Sequence, residues 1–153
     1  MADPADIRGW QRLSDDVTTS GRLEEHDVAR LAALGVQQVI NLALDSHPDA
    51  LADEGGKLAA AGIGYTHIPV PFDAPNDTHF AAFRAVLEQA PKPLHVHCIM
   101  NWRVSAFFYR LHRDVLGMAE DEARALMQQQ WEPDRSDRPE WAVWAQFIAP
   151  RAV

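Results

Sequence analysis

Three short apolar segments separated by helix-forming stretches constrain the fold of this chain more than any other feature. The segments are residues 36–42, 65–70 and 94–97, and the first is rich in β-branched side chains. Between them, apolar residues recur at helical spacing over stretches of roughly ten to fifteen residues. This alternation predicts βαβ units, and therefore a single-domain α/β fold with a mainly parallel sheet of about four to five strands flanked by helices.

Ligands bind to such sheets beyond the carboxyl ends of the strands. The segment 94–97 leads at that end into Cys98, the only cysteine of the chain, and an amphipathic helix is predicted to begin near Arg103. Loop N–H groups, a helix N-terminus and a guanidinium would then converge on one point, which favours an anion beside a thiolate. The residues predicted to bind such an anion are Ile99, Met100, Asn101, Trp102 and Arg103.

Hydrolysis of a phosphate monoester by cysteine needs a thiolate in line with phosphorus, donors around the other oxygens, and an acid for the leaving group. Cys98 and the N–H groups of the following loop could supply the first two. Asn101 lies in the middle of the turn, where a left-handed backbone is often required, and asparagine tolerates that conformation. The loop chemistry is therefore compatible with phosphate monoester hydrolysis.

The segment from His97-Cys98 to Arg103-Val-Ser105 resembles the signature of the cysteine-dependent protein-tyrosine and dual-specificity phosphatase superfamily: His-Cys, five residues, Arg, then Ser or Thr. Together with residues 19–21, 35–42 and 67–70, it is more similar to a small bacterial phosphatase-like branch. That branch is related to the phosphatase-like part of the beta-lactamase-hydrolase-like proteins. The resemblance implies a dual-specificity-phosphatase-like fold, a phosphocysteine intermediate and no metal or other cofactor.

The resemblance also implies roles for individual residues of the loop. Cys98 would be the nucleophile, His97 would help the thiol to ionise, and Arg103 would bind phosphate and the transition state. Ser105 would assist the thiolate as a leaving group, or would be only a first-turn helix residue. Asp73 in an upstream loop would be the general acid.

Asp77 is the alternative to Asp73 as the acid, and both aspartates could instead be turn or N-cap residues.

Trp102 could line the mouth of the pocket or pack beneath it. The tryptophans predicted to pack the terminal helices onto the body are Trp131, Trp141 and Trp144.

Two alternative functions follow from the length of the loop. Only four residues separate Cys98 from Arg103, one fewer than in the superfamily signature. A shorter loop offers fewer N–H groups, so one alternative is a catalytically weak or inactive phosphate-binding module. The same spacing is typical of rhodanese-like sulfurtransferases, which hold a persulfide, although the glycine-rich segment expected after their active-site helix is missing here.

Charge and hydropathy exclude several classes of protein. The formal net charge is −8, and no basic stripe is available for a nucleic-acid backbone. No apolar run approaches the roughly 18 residues of a membrane helix, and the N-terminus lacks the pattern of a signal peptide. We therefore expect a cytoplasmic protein whose partner is a phosphorylated small molecule or a phosphoprotein, with neither nucleic acid nor membrane. The oligomeric state stays open.

The chain is predicted to contain a flexible N-terminus at residues 1–9 and one phosphatase-like domain at residues 10–153. Residues 18–21, Thr-Thr-Ser-Gly, have the composition of a turn.

His95 and His97 alternate on one predicted strand, with His67 on a neighbouring one. No acidic or histidine ligand accompanies them at a recognisable spacing, so we expect no metal site.

Overall fold

The centre of the computed structural model, which describes residues 2–150, is a five-stranded sheet with the order β1-β2-β5-β3-β4. Only the pairing of β1 with β2 is antiparallel; the other three pairings are parallel. The predicted mainly parallel sheet is confirmed. The strands are β1 (Gln11–Arg12), β2 (Val17–Ser20), β3 (Gln38–Asn41), β4 (Gly64–His67) and β5 (Leu94–His97).

Helices connect the parallel strands and form the C-terminal part of the domain. They are α1 (Asp27–Ala33), α2 (Glu54–Ala60), α3 (Asp77–Gln89), α4 (Trp102–Arg110), α5 (Glu120–Gln128) and α6 (Ala142–Ile148). A π-helical turn at Leu111–Val115 continues α4, and short 3₁₀ turns at Pro133–Arg135 and Pro139–Trp141 precede α6. Within residues 2–150, no helix is long and apolar enough to cross a membrane.

Alternating side chains of the sheet enter two separate apolar clusters. Ile40 belongs to the larger cluster, which includes Phe107 of α4 and Trp144 of α6. Its neighbour Val39 belongs to the smaller cluster with Leu58 of α2. Successive side chains of a strand point to opposite faces, so the sheet is covered by helices on both sides, as the sequence predicts. Trp131 and Trp144 are buried in the larger cluster, which confirms that they attach the C-terminal elements.

The interpretation of residues 18–21 as a turn is wrong, because Val17–Ser20 forms β2 beside β5. Threonine suits an extended backbone through its branched Cβ. The hydroxyl groups of Thr18 and Ser20 are satisfied inside the protein, since both bond the ring of His95 at 2.8 Å. The polar composition that suggests a turn thus serves a buried hydrogen-bond network.

The N-terminal segment contacts the rest of the protein along residues 7–9. Ile7 is buried in the smaller cluster, and the Arg8 carbonyl accepts a bond from the Gly21 N–H group at 2.6 Å. Gly9 has a φ of 63° and lies against Asn101. The flexibility expected of residues 1–9 stays a prediction, while these contacts bring the segment to the Cys98 loop.

Ser46 and Pro48 are typical of a helix start and predict a helix shortly after Pro48, but the helix begins later, at Glu54. Residues 42–53 instead form a connection at the carboxyl end of β3. Asp49 of this connection forms an ion pair with Arg8 at 3.0 Å. The connection therefore lies beside the loop that follows β5, which places additional polar side chains near Cys98.

Candidate active site

The turn between β5 and α4 depends on Asn101, which has a φ of 68° and a ψ of 10°. This left-handed conformation agrees with the prediction for that position. The Asn101 side-chain amide donates to the Gly9 carbonyl at 2.7 Å and to Thr19 Oγ1 at 3.0 Å. The side chain thus fixes the turn against both the N-terminal segment and β2.

Backbone hydrogen bonds hold the start of the turn against the end of β2. The Cys98 N–H group donates to the Ser20 carbonyl at 3.3 Å, and the Arg22 N–H group donates to the Ile99 carbonyl at 2.9 Å. The first N–H groups of α4 have no carbonyl partner within the helix, as in any α-helix. The start of the turn is therefore held by hydrogen bonds to the end of β2. The first N–H groups of α4, which are hydrogen-bond donors, lie at the other end of the turn.

Beyond the carboxyl end of β5 lies a cleft of about 300 Å³. Cys98 borders it but has no exposed surface, so the residue lies at its inner end. The lining residues are His47, Phe72, Cys98, Ile99, Met100, Trp102 and Arg103. The structure thus brings together the predicted nucleophile, the predicted arginine and most of the predicted phosphate loop.

Arg103 is 7% exposed and has no carboxylate partner within residues 2–150. Its guanidinium carbon lies 5.3 Å from the centre of the Phe72 ring, and its Nε donates no hydrogen bond to a described residue. A buried charge is costly unless it is paired. An anion in the cleft would provide the missing partner.

His97 is bonded on both sides of its ring. Its Nε2 lies 2.6 Å from Glu54 Oε2, and its Nδ1 lies 3.1 Å from the Cys98 carbonyl oxygen. Glu54 is 6% exposed and begins α2. No local sequence pattern marks Glu54 as a site residue, because its contact with His97 spans 43 residues.

His95 lies behind His97 on β5 and is neutral. Burial lowers its pKa well below the ordinary value, and the nearby His97 lowers it further. Ser20 Oγ donates to the Gly21 carbonyl, so it accepts from His95 Nε2, and His95 Nδ1 then accepts from Thr18. His67 Nε2 contacts the Ala43 carbonyl at 2.6 Å.

The remaining predicted residues lie away from the thiol or bond elsewhere. Ser105 Oγ donates to the Trp102 carbonyl at 3.1 Å, a common bond of helical serines. Asp73 is exposed and borders a separate recess of about 290 Å³ with residues of α6. Asp77 bonds Arg110 at 3.0 Å, and that guanidinium also lies over the Phe80 ring. The catalytic roles of all three stay predictions.

His47 is a further polar residue of the cleft that the sequence analysis missed. Its Nδ1 accepts the Asp49 N–H group at 3.0 Å, so Nε2 carries the proton of the neutral ring. His47 follows β3, and ligands bind beyond the carboxyl ends of parallel strands. That rule could have identified His47, but the neighbouring Ser46 and Pro48 are also typical of a helix start.

An aromatic wall closes the side of the cleft next to Arg103. Trp102 lines the cleft and stacks on Trp131 at 5.1 Å, so it fulfils both roles considered for it. Phe72 contacts both indoles, and its carbonyl accepts the Trp144 Nε1 hydrogen at 2.6 Å. The C-terminal helices therefore fix the position of the ring on which Arg103 lies.

Residues 9–111 match the family described as beta-lactamase hydrolase-like protein, phosphatase-like domain. No curated protein resembles the chain in sequence at a significant level. A candidate phosphatase of the DUF442 group from Shewanella putrefaciens CN-32 has 30% identity and a TM-score of 0.76, over 94% of this chain and 90% of that chain.

Two further solved structures have the same fold. A candidate phosphatase from Neisseria meningitidis Z2491 has 25% identity and a TM-score of 0.68, over 78% of this chain and 86% of its own. TpbA of P. aeruginosa has 21% identity and a TM-score of 0.71, over 96% of this chain and 88% of its own, and supports the fold alone. The predicted fold class is thus confirmed by solved relatives.

Substitution of Asn101 tests whether its backbone and side chain both maintain the turn. We expect Asn101→Ala to lower the free energy of unfolding by about 2–4 kcal/mol, through left-handed strain and two lost hydrogen bonds. Asn101→Gly accommodates the backbone and should lose only about 1–2 kcal/mol. Urea denaturation followed by circular dichroism measures both values, and equal losses would contradict a conformational role for Asn101.

Proposed function

Because the chain belongs to the phosphatase-like domain family of the beta-lactamase hydrolase-like proteins, we propose that it hydrolyses a phosphate monoester through a phosphocysteine at Cys98. Residues 97–105 also resemble the signature of the cysteine-dependent protein-tyrosine and dual-specificity phosphatase superfamily. The observation that carries the proposal is the buried guanidinium of Arg103, which has no carboxylate partner among residues 2–150 and shares one cleft with Cys98. The proposed reaction requires no metal or other cofactor.

In the first proposed step, the Cys98 thiolate attacks phosphorus, a sulfur–phosphorus bond forms, and the bond to the leaving oxygen breaks. Arg103 and the first N–H groups of α4 hold the other phosphate oxygens, and the helix dipole favours their charge. An acid gives its proton to the leaving oxygen. In the second step, the acid, which is now deprotonated, accepts a proton from water. The water oxygen attacks phosphorus, the sulfur–phosphorus bond breaks, and the thiolate departs.

The short loop still places Arg103 at the cleft. Helix α4 begins at Trp102, so Arg103 lies in its first turn, and its side chain borders the same space as Cys98. This arrangement supports phosphate binding despite the spacing of four residues. A binding module without turnover is the second candidate. It is favoured by the cleft lining, in which the described part of the chain places no aspartate or glutamate.

The proposed acid is Asp73. It follows Phe72, a wall residue of the cleft, whereas its own carboxylate borders the neighbouring recess. Catalytic contacts often tighten only when substrate is bound, so this geometry does not disqualify Asp73. His47 already lines the cleft and is the competing donor.

Turnover of an aryl phosphate tests the nucleophile and the arginine. We expect the purified protein to hydrolyse p-nitrophenyl phosphate and Cys98→Ser to lower kcat at least about a thousandfold, because the hydroxyl is a far weaker nucleophile. Arg103→Lys should lower kcat by about a hundredfold, since it loses the planar pair of donors. The exposed Arg84 on α3 provides the control, and Arg84→Lys should leave turnover unchanged.

Three other results would contradict the proposed reaction. Undiminished turnover by Cys98→Ser would exclude the phosphocysteine route. Saturable binding of inorganic phosphate to a wild-type protein without turnover would identify a binding module. Release of thiocyanate from thiosulfate and cyanide, with a persulfide mass on Cys98, would identify a sulfurtransferase.

A comparison of leaving groups tests the proposed acid. With an alkyl phosphate, whose leaving oxygen needs a proton, Asp73→Asn should lower kcat by about 10²–10⁴. With p-nitrophenyl phosphate the loss should be much smaller, because nitrophenolate departs unaided. His47→Gln should leave the ratio of the two rates unchanged. A changed ratio in His47→Gln together with an unchanged one in Asp73→Asn would transfer the role to His47.

A further inference from the structure

The hydrogen bonds of His97 determine how many protons its ring carries. A carbonyl oxygen only accepts, so Nδ1 donates to the Cys98 carbonyl at 3.1 Å. Nε2 lies 2.6 Å from Glu54 Oε2, a distance at which two lone pairs would repel unless a proton lay between them. The pair therefore holds one proton more than a neutral imidazole beside a carboxylate. Its charge-separated form is an imidazolium bonded to a carboxylate.

Both members of this pair are withdrawn from water. His97 is 3% exposed and Glu54 is 6% exposed. Burial of a single unpaired charge is costly in free energy. Burial of a hydrogen-bonded ion pair is less so, because the two opposite charges attract each other and the pair has no net charge. Within the pair, the positive end is the ring of His97, which directly precedes Cys98 and bonds its carbonyl. A positive charge on that side favours the thiolate over the thiol.

The backbone at the start of α2 places the Glu54 carboxylate next to His97. Glu54 is the first residue of the helix and follows Asp53, which has a φ of 51°. A Cβ added at Gly55 would lie 3.0 Å from the Tyr65 ring, so the glycine permits close packing of α2 on β4. Glycine has a low helix propensity, and this contact gives a steric reason for its presence at position 55.

Two other titratable groups face the pair and are neutral. Burial lowers the pKa of His95, whose ring centre lies 6.3 Å from that of His97. Burial, with a smaller contribution from Glu54, raises the pKa of Tyr65 to about 12. Near neutral pH, neither residue changes charge.

Glu54, His97 and Cys98 border a small recess behind the cleft. Arg22 and Asp49 also line this recess, and both are paired with other residues. Arg22 pairs with Glu24 at 3.1 Å, and the Arg8 guanidinium holds the pKa of Asp49 below its ordinary value. Arg103 lies on the cleft side of Cys98. The pair formed by Glu54 and His97 lies on the other side, directly behind Cys98.

We infer that Glu54 is a positioning residue of this site: its carboxylate holds His97 in the doubly protonated form, whose positive end stabilises the Cys98 thiolate. The use of this arrangement in turnover rests on the proposed phosphatase reaction. The protonation states themselves are measurable without any substrate, so the two ideas can fail separately.

The variant Glu54→Gln removes the negative charge and keeps the shape of the side chain. We expect nitrogen NMR near neutral pH to show two protonated ring nitrogens on His97 in the wild type and one in Glu54→Gln. Cys98 is the only cysteine, so ultraviolet absorbance against Cys98→Ser reports its thiolate alone. The ionisation midpoint of the thiol should rise by about one pH unit in Glu54→Gln.

Asp27→Asn is the matched control. Asp27 is another buried carboxylate, 3% exposed, but it pairs with Arg30 at 3.1 Å. Its loss should reduce stability without moving the thiol midpoint. A shift of the same size in both variants would show a general effect of destabilisation and overturn the inference.

Further outcomes also test whether Glu54 holds His97 in the doubly protonated form. A single protonated nitrogen on wild-type His97 near neutral pH would refute the inference even if Glu54→Gln failed to fold. An unchanged thiol midpoint in a folded Glu54→Gln would refute it as well. If turnover occurs, its acidic limb should move upward by about one pH unit in Glu54→Gln, with kcat recovering at higher pH. Movement of the thiol midpoint without any turnover would support the pair and reject the phosphatase reaction.

Discussion

The buried guanidinium of Arg103 is the constraint on which the organisation of the site depends. Withdrawing such an ion from water costs several kcal/mol, and its contact with the Phe72 ring recovers about 0.5–2 kcal/mol. The elements around it keep the charge in place: Asn101 fixes the turn before α4, and Trp144 holds Phe72. In the proposed function, an anion that enters the cleft offsets the rest of this cost. The guanidinium of Arg103 would then be paired by the ligand and not by a side chain of the protein.

The charges near the Cys98 loop, and not the net charge of the protein, make the cleft complementary to an anion. The chain has a net charge of −8, yet arginines lie around the Cys98 loop. Arg8 and Arg22 are paired with Asp49 and Glu24, at 3.0 and 3.1 Å. Arg103 has no such partner within residues 2–150 and is the arginine that we propose for phosphate binding. The pair of Glu54 and His97 adds a second positive end behind the thiol, so one oxyanion and one thiolate can be held side by side.

Local sequence signals predicted the parts of this structure that depend on neighbouring residues. The β-branched strand predicted at residues 36–42 forms at 38–41. This strand, the left-handed turn at Asn101 and the helix after Cys98 follow from backbone preferences. The parts that were missed depend on distant partners. Strand β2 has the polar composition of a turn because its hydroxyl groups bond the buried ring of His95. Thr18, one of these residues, is 77 positions away from His95 in the sequence. Glu54 reaches His97 across 43 residues, and no periodic pattern marks such a contact.

Trapping the covalent intermediate tests the account most directly. The wild-type protein would be mixed with an aryl phosphate, denatured rapidly and analysed by mass spectrometry. The account predicts a transient gain of one phosphoryl group, located on the peptide containing Cys98 and absent from Cys98→Ser. Sustained hydrolysis with no such adduct, or with the phosphoryl group on another residue, would contradict it.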